Sequence, residues 1–347
     1  MGKQTLHNGI SWCDETWNFF HGCSRIRRGC DHCWAIGQAN RQPARTMTIT
    51  QTERGIDWSG KFVVFRHHLK DPLNWKKPQR IAVGLMGDVF HLAMPRPDLD
   101  QAKATMVEAG RHHFLLLTKR GPEAKHYLSD ALRTRIQYLQ KNEPIATWPP
   151  RNIWIGASLE NQKAADMMRK AMADLAEAGW PIFVSYEPAL GPIDWTRWRF
   201  IRWLIAGGEK GPRPPHPDWI RQARDFCQSH GIPFHFKQWG RFTPGPRAEC
   251  GHDSSDGAAG YGRIPDDQER VWHCLVCGRL HGAQTGSQYP NDRIGVYIQP
   301  GRNQGKRALS ESASFDFFRT LSKKQLLELG ISSRSLDGKE WLEFPED

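Results

Sequence analysis

The sequence predicts an α/β fold: an incomplete or irregular (β/α) TIM-like barrel, carrying a small zinc-ribbon-like Cys/His insert. Three observations point to the barrel. Apolar runs of strand length recur along the chain, patterns of helical period separate them, and nearly every run ends in charged or small polar residues. Near-continuous apolar strands are the mark of a sheet buried on both faces, which is the condition of parallel strands crossed over by helices.

Taken in order, residues 1–20 carry Trp12, Trp17, Phe19 and Phe20, and TWNFF (16–20) reads as a short first strand leading into a cysteine-rich loop. WAIGQANRQ (34–42) begins a helix, 43–60 is polar and irregular like an insertion or lid, FVVFR (62–66) is a short apolar run, and DPLNWKKPQR (71–80) reads as loop. The regular alternation follows, with strands IAVGL (81–85), HFLLLT (113–118), NIWIGAS (152–158), PIFVSY (181–186), RWLIAGG (202–208) and IPFHFK (232–237). Helices are expected over 96–110, 123–140, 161–179 and 217–231. The last opens on Pro217 and closes on Gly231, the usual start and stop signals. Six good strands, with one or two poorer ones near the N-terminus, make an open barrel a better expectation than a closed eightfold one.

The division expected is a barrel with its three-cysteine loop over 1–243, a Cys/His-rich insert over 244–295, and a C-terminal segment over 296–347 that packs back on the barrel. That last segment holds the basic stretch GRNQGKRA and a helical pattern over 315–330.

Composition narrows the function classes. The chain has 347 residues, 39% hydrophobic and 24% charged, which is ordinary for a globular protein. No apolar run is long enough to span a bilayer, and MGKQTLHNG lacks a signal peptide's apolar core, so no membrane role and a cytoplasmic location are expected. Eight cysteines, several closely spaced, then favour metal binding over disulfides. A net charge of +11 suits a polyanionic partner such as nucleic acid, and 15 tryptophans offer surfaces for unpaired bases.

Cys23, Cys30 and Cys33 form C-x6-C-x2-C within NFFHGCSRIRRGCDHCWA (18–35). Three thiolates from one loop can hold three irons of a [4Fe–4S] cluster and leave the fourth open. The same spacing also suits a zinc knuckle completed by Cys13, His21 or His32, and spacing alone leaves both readings open. A second group, Cys250, His252, Cys274, Cys277 and His281, is expected to close a structural zinc site with four of its five members, because an insert with so little core needs a staple. The strand ends supply Asp88, Lys119, Ser158, Glu160, Glu187, Gly207, Gly208, Glu209 and Lys237, which a barrel would gather at one face, where active sites are built.

GCSRIRRGCDHCWA resembles the signature of the phage three-cysteine-motif protein family, a divergent radical S-adenosylmethionine (SAM) family. The similarity continues through LMGDVFH (85–91), FLLLTKR (114–120), NIWIGASLENQ (152–162), VSYEPALGPID (184–194), WLIAGGEKGPRP (203–214), IPFHFKQWG (232–240) and LDGKEWLEFP (336–345). The resemblance implies a [4Fe–4S] cluster on Cys23, Cys30 and Cys33, SAM as cofactor, and an electron donor of flavodoxin or ferredoxin type. It implies an enzyme generating a 5′-deoxyadenosyl radical, with a nucleobase in phage DNA as substrate and the host cytoplasm as location. Under it, Lys119 or Lys237 would face the cofactor carboxylate and Glu160, Glu187 or Glu209 its amine and ribose. Ser158 would line the same site, and Gly207 and Gly208 would let backbone approach the cofactor. Asp88, Lys119, Glu187 and Lys237 are the candidate catalytic groups. This chain departs from the common C-x3-C-x2-C spacing, and its Gly-Gly-Glu follows a late strand rather than an early one. An ion pair between Lys237 and Glu187 is the structural alternative for those two. The competing functions are a non-catalytic zinc-containing nucleic-acid-binding protein and a metal-dependent nuclease built on Asp88, Glu160 and Glu187.

Overall fold

The structure, a computed structural model, describes residues 10–141, 145–211, 213, 215–240 and 341–345. Short paired strands are also described at 243–244, 272–273, 280–281, 297–298, 335–336 and 339–340. Its centre is one seven-stranded parallel sheet: β1 (Glu15–Trp17), β2 (Arg80–Val83), β3 (His113–Thr118), β4 (Ile153–Ser158), β5 (Ile182–Tyr186), β6 (Trp203–Gly207) and β7 (Phe234–Gln238). The strands lie side by side in chain order and the sheet curls into a half-barrel. The α/β class and the open barrel are as the apolar runs implied.

Six helices are long enough to matter for packing: α1 (Trp34–Asn40), α2 (Arg96–Glu108), α3 (Gly121–Tyr127), α4 (Asp130–Leu139), α5 (Gln162–Glu177) and α6 (Pro217–Ser229). Asn161 caps α5 by accepting from the Ala164 amide at 3.0 Å. Gly231, two residues past α6, takes φ +65°, a conformation that favours glycine.

Alternation along each strand divides the core. Ile81, Val83, Phe114, Leu116, Val184 and Leu204 face the helices, whereas Ala82, Leu115, Phe183, Trp203 and Ile205 join Trp12 and Cys13 on the other face. The segment around Trp12 and the C-terminal Phe344 thus fill the concave side, and Arg80 stacks 3.8 Å from the Phe344 ring centroid. The outer edge of β7 is covered by the same terminal segment. Phe236 donates its amide to the Trp341 carbonyl at 2.7 Å, and Trp341 is buried.

Two regions differ from expectation. The helix expected over 123–140 is broken into α3 and α4, with Ser129 extended (φ −70°, ψ 169°) between them. Across the break Asp100 accepts from the Tyr127 hydroxyl at 2.6 Å and from Arg135 Nε at 2.9 Å. Eight residues of straight helix would separate those two by about 12 Å; the break brings both to one carboxylate. The stretch 43–60, expected to be irregular, is a 3-10 segment (Pro43–Thr48) followed by an antiparallel hairpin of Ile49–Thr52 and Gly55–Trp58. Trp58 buries itself beside Ala35, Ile36, Ala39 and Met86, so the hairpin braces α1.

Within the described residues no helix is long and apolar enough to cross a membrane. Cys250, His252, Cys274 and Cys277, and the helix expected over 315–330, lie outside the described residues. His281 falls in a two-residue strand paired with Trp272–His273, its side chain likewise outside what is described.

Candidate functional site

The C-terminal ends of the strands open onto one face, and the three-cysteine loop lies across it. The loop is fixed first to the end of β2. The Gly22 amide donates to the Met86 carbonyl at 3.2 Å, and Gly22 bridges Gly87. Gly22 takes φ +132°, and a Cβ there would run into the Lys61 carbonyl, so only glycine fits. After Cys23 the chain makes a 3-10 turn over Arg28–Cys30 and enters α1 directly behind Cys33.

Cys23 and Cys33 both pack against the small cluster containing Met86 and Trp58, and no disulfide joins the described cysteines. Burial pushes the Cys23 thiol up to about 12; negative charge at Asp88, Cys30 and Cys33 adds to the rise and Arg120 opposes it.

Arginines tie the loop to successive strand ends. From the end of β3, Arg120 donates Nη2 to the carbonyl (3.0 Å) and hydroxyl (2.9 Å) of Ser24. The Ser24 hydroxyl also meets His91 Nε2 at 2.7 Å. Loop residue Arg27 reaches β4, donating to the Ser158 carbonyl at 2.6 Å and standing 3.1 Å from Glu160. Beyond β6, Arg213 holds both oxygens of Glu209 at 2.8 Å, and reaches Asp31 (3.0 Å) and the Arg28 carbonyl (3.1 Å).

The other candidates fall into place around this frame. Asp88 is saturated: it accepts from the Thr118 hydroxyl (2.7 and 2.9 Å) and from the amides of Lys119 (3.0 Å) and Phe90 (3.1 Å). Such a carboxylate organises a turn. Lys119 Nζ donates to Ser158 Oγ at 2.5 Å. Lys237 and Glu187 pair with each other at 3.0 Å, with Ser185 Oγ on the second Glu187 oxygen at 3.1 Å. A Cβ on Gly208 would strike the Trp239 carbonyl, and one on Gly207 would stand 3.1 Å from the Gln238 carbonyl, so close packing of β7 fills the space at both glycines.

Glu160 and Arg27 keep unused bonding capacity. Glu160 is 2% exposed, and among the described residues its buried Oε2 has no hydrogen-bond donor and the buried Arg27 Nη1 no acceptor. Burial lowers the Arg27 pKa, against the pull of Glu160 and Cys30. Gly29 of the loop lies directly above: a Cβ there would be 3.2 Å from Glu160 Oε2 and 3.4 Å from Lys119 Cε. Orphaned buried atoms are costly unless a ligand or water completes them.

Three thiolates on one loop are a donor set that either a zinc ion or an iron–sulfur cluster accepts. Zinc requires donors gathered round one point, whereas an iron–sulfur cluster takes each thiolate on a different iron. Among the described residues no three His, Cys, Asp or Glu side chains are gathered as one ion would need. Of the fourth ligands a zinc knuckle could use, Cys13 packs with Trp12, Leu115 and Phe183 on the inner face of the sheet, and His21 sits edge-on to Phe65. The sequence brought forward most of these residues through the strand-end rule. It did not bring forward Ser24, His91 or Arg213, whose bonds span 67, 96 and 182 positions of chain.

Residues 7–345 match the model of the family described as "Protein of unknown function (DUF5131)", and the chain belongs to that family. No curated protein matches it. Similar solved structures include a spore photoproduct lyase mutant with bound AdoMet and dinucleoside spore photoproduct, at 12% identity and TM-score 0.34 over 73% of this chain and 66% of that one. Spore photoproduct lyase complexed with dinucleoside spore photoproduct gives 11% and 0.32, with the same coverage. A third, another mutant of that lyase, gives 11% and 0.32 over 90% of this chain and 73% of that one. The chain thus spans just under two thirds of the length of the first of these structures.

Proposed function

We propose that this member of the DUF5131 family is a radical SAM-type enzyme. Cys23, Cys30 and Cys33 would hold a [4Fe–4S] cluster, and SAM would lie between that loop and the ends of β4 to β6. The observation that carries the reading is the placement of the C-x6-C-x2-C loop, clamped by three arginines over the strand ends, with the unpaired Oε2 of Glu160 directly beneath it. When bound, the pair would supply one-electron cleavage of the SAM sulfonium and a 5′-deoxyadenosyl radical able to take hydrogen from an unactivated carbon.

The chain's own part is binding and exclusion of water. Glu160 offers an acceptor to an ammonium group, and the Lys119–Ser158 pair offers a cation and a hydroxyl to a carboxylate or ribose. Arg27 stands against one oxygen of Glu160 and leaves the second unused. The positive charge of the chain favours a nucleobase within a nucleic acid as substrate, including phage DNA, and an electron donor of flavodoxin or ferredoxin type. The Cys250–His281 group would staple the insert with zinc.

The test is anaerobic reconstitution with iron and sulfide, followed by SAM and a reductant. Brown protein that releases 5′-deoxyadenosine is expected, and Cys30→Ala should abolish both colour and product. Cys274→Ala should instead lower stability while leaving the cluster in place. A colourless protein holding only zinc would overturn the proposal.

A further inference from the structure

The crossover from β1 to β2 is unlike the rest of the chain in charge and in surface. Between Asn18 and Gln79 stand eleven Lys and Arg against four Asp and Glu, a net +7 out of the whole chain's +11. Three of the four acids there are engaged: Asp31 and Asp57 pair with Arg25, and Asp71 with His68, while Glu53 stands exposed beside Arg54. Arg41, Arg54 and Lys61 are exposed and make no ion pair among the described residues.

The same crossover also leaves large apolar side chains in solvent. Trp34 is 53% exposed, Met47 59% and Ile56 38%, each carried on a segment that packs round α1: its own first turn, the 3-10 segment and the hairpin. Trp34 directly follows Cys33, so it stands at the margin of the candidate site. An indole exposed by half, on the same braced crossover as these unpaired cations, is suited to a flat, anionic partner.

We infer that this wing, built from α1, the 3-10 segment and the hairpin, binds single-stranded nucleic acid. An unpaired base stacks on Trp34, and Arg41, Arg54 and Lys61 contact the phosphates. Stacking selects single strands over duplex, in which base faces are covered. An acidic electron-carrier protein would answer to the charge but not to a requirement for the indole face. The inference takes from the proposed function only the position of the reaction, above the cysteine loop, and explains how a base would be delivered there.

The test uses the full chain with a fluorescein-labelled oligothymidylate, its duplex with oligoadenylate, and an acidic flavodoxin, each followed by anisotropy over a salt series. Single strand should bind more tightly than duplex. Trp34→Ala should weaken single-strand binding on the order of 5- to 100-fold, the range of one base–aromatic stack. The triple change Arg41→Gln, Arg54→Gln, Lys61→Gln should lower the salt slope by about 2, at roughly 0.7 for each phosphate no longer neutralised. Thermal melts of each variant, expected unchanged for these exposed positions, guard against misfolding. Equal binding of duplex, a Trp34→Ala variant that binds as tightly as the parent, or flavodoxin alone being displaced by these changes would overturn the inference. Binding needs neither cluster nor SAM, so Cys30→Ala should retain it; failure of the radical reaction and failure of this surface are read separately.

Discussion

Arg27 and Glu160 are almost completely withdrawn from water, with side chains 7% and 2% exposed, and their charges are tolerable only as a pair. Removing one partner strands the other, and losses of about 3–5 kcal/mol are typical of such cuts. Arg27→Ala should therefore destabilise the fold by that order in a urea titration, well beyond the effect of an exposed pair such as Lys170 with Asp174. A second buried charge stands apart from the site. Lys103 of α2 is wholly buried, has no hydrogen-bond partner among the described residues, lies 5.4 Å from the Phe90 ring centroid, and has its pKa lowered by burial to about 7. The unfolded chain then binds more protons than the folded one between about pH 7 and the ordinary lysine value, so stability rises with pH across that window. The contribution is fully unfavourable below pH 7. The slope should approach about 1.4 kcal/mol per pH unit. Lys103→Met should flatten it and stabilise the protein at pH 7, as denaturant midpoints between pH 6.5 and 9.5 would show. A parent and variant with parallel pH profiles would contradict this.

Elements were legible where one period ran unbroken. The six apolar runs became β2 to β7 because strands covered on both faces need hydrophobic residues at every position, and that continuity is local information. What stayed hidden was set by partners far away in the chain. Within 123–140 only Ser129 and Asp130, residue types common at helix starts, mark the break between α3 and α4; Asp100, which pairs with both, lies on another helix. The hairpin over 49–58 escaped notice since only Trp58 of its second strand is buried, leaving little alternation to read. The candidate site divides likewise. Cysteine spacing and strand ends marked its residue types, but the commitment of Asp88 to Thr118 and of Glu187 to Lys237 emerges only from three-dimensional pairing. At this scale Gly22 is the most exacting position, since φ +132° and the Lys61 carbonyl both exclude a side chain. Gly22→Ala should displace the cysteine loop from the end of β2. Iron bound per chain after reconstitution should fall sharply, while far-ultraviolet circular dichroism of the barrel persists.

At the scale of the molecule, an open half-barrel leaves two sheet edges and a concave face to cover. The chain covers the β7 edge and part of the concave face with residues 341–345: Trp341 packs into the main core, Glu343 pairs with the backbone of Phe234, and Phe344 lies under Arg80. Trp341→Ala should cost about 3–5 kcal/mol, the range for deleting a buried tryptophan, and a calorimetric melt would register it. The mouth is closed differently, by the cysteine loop, whose Ser24 and Arg27 bond to residues at the ends of β3 and β4. The most direct test of that assignment is the electron paramagnetic resonance spectrum of the reduced, reconstituted protein with and without SAM. A cluster with one iron free of protein ligands should change its g-values when SAM is added, and Cys23→Ala, Cys30→Ala and Cys33→Ala should each lose the signal. A spectrum indifferent to SAM, or a signal surviving loss of any one of the three cysteines, would contradict the account.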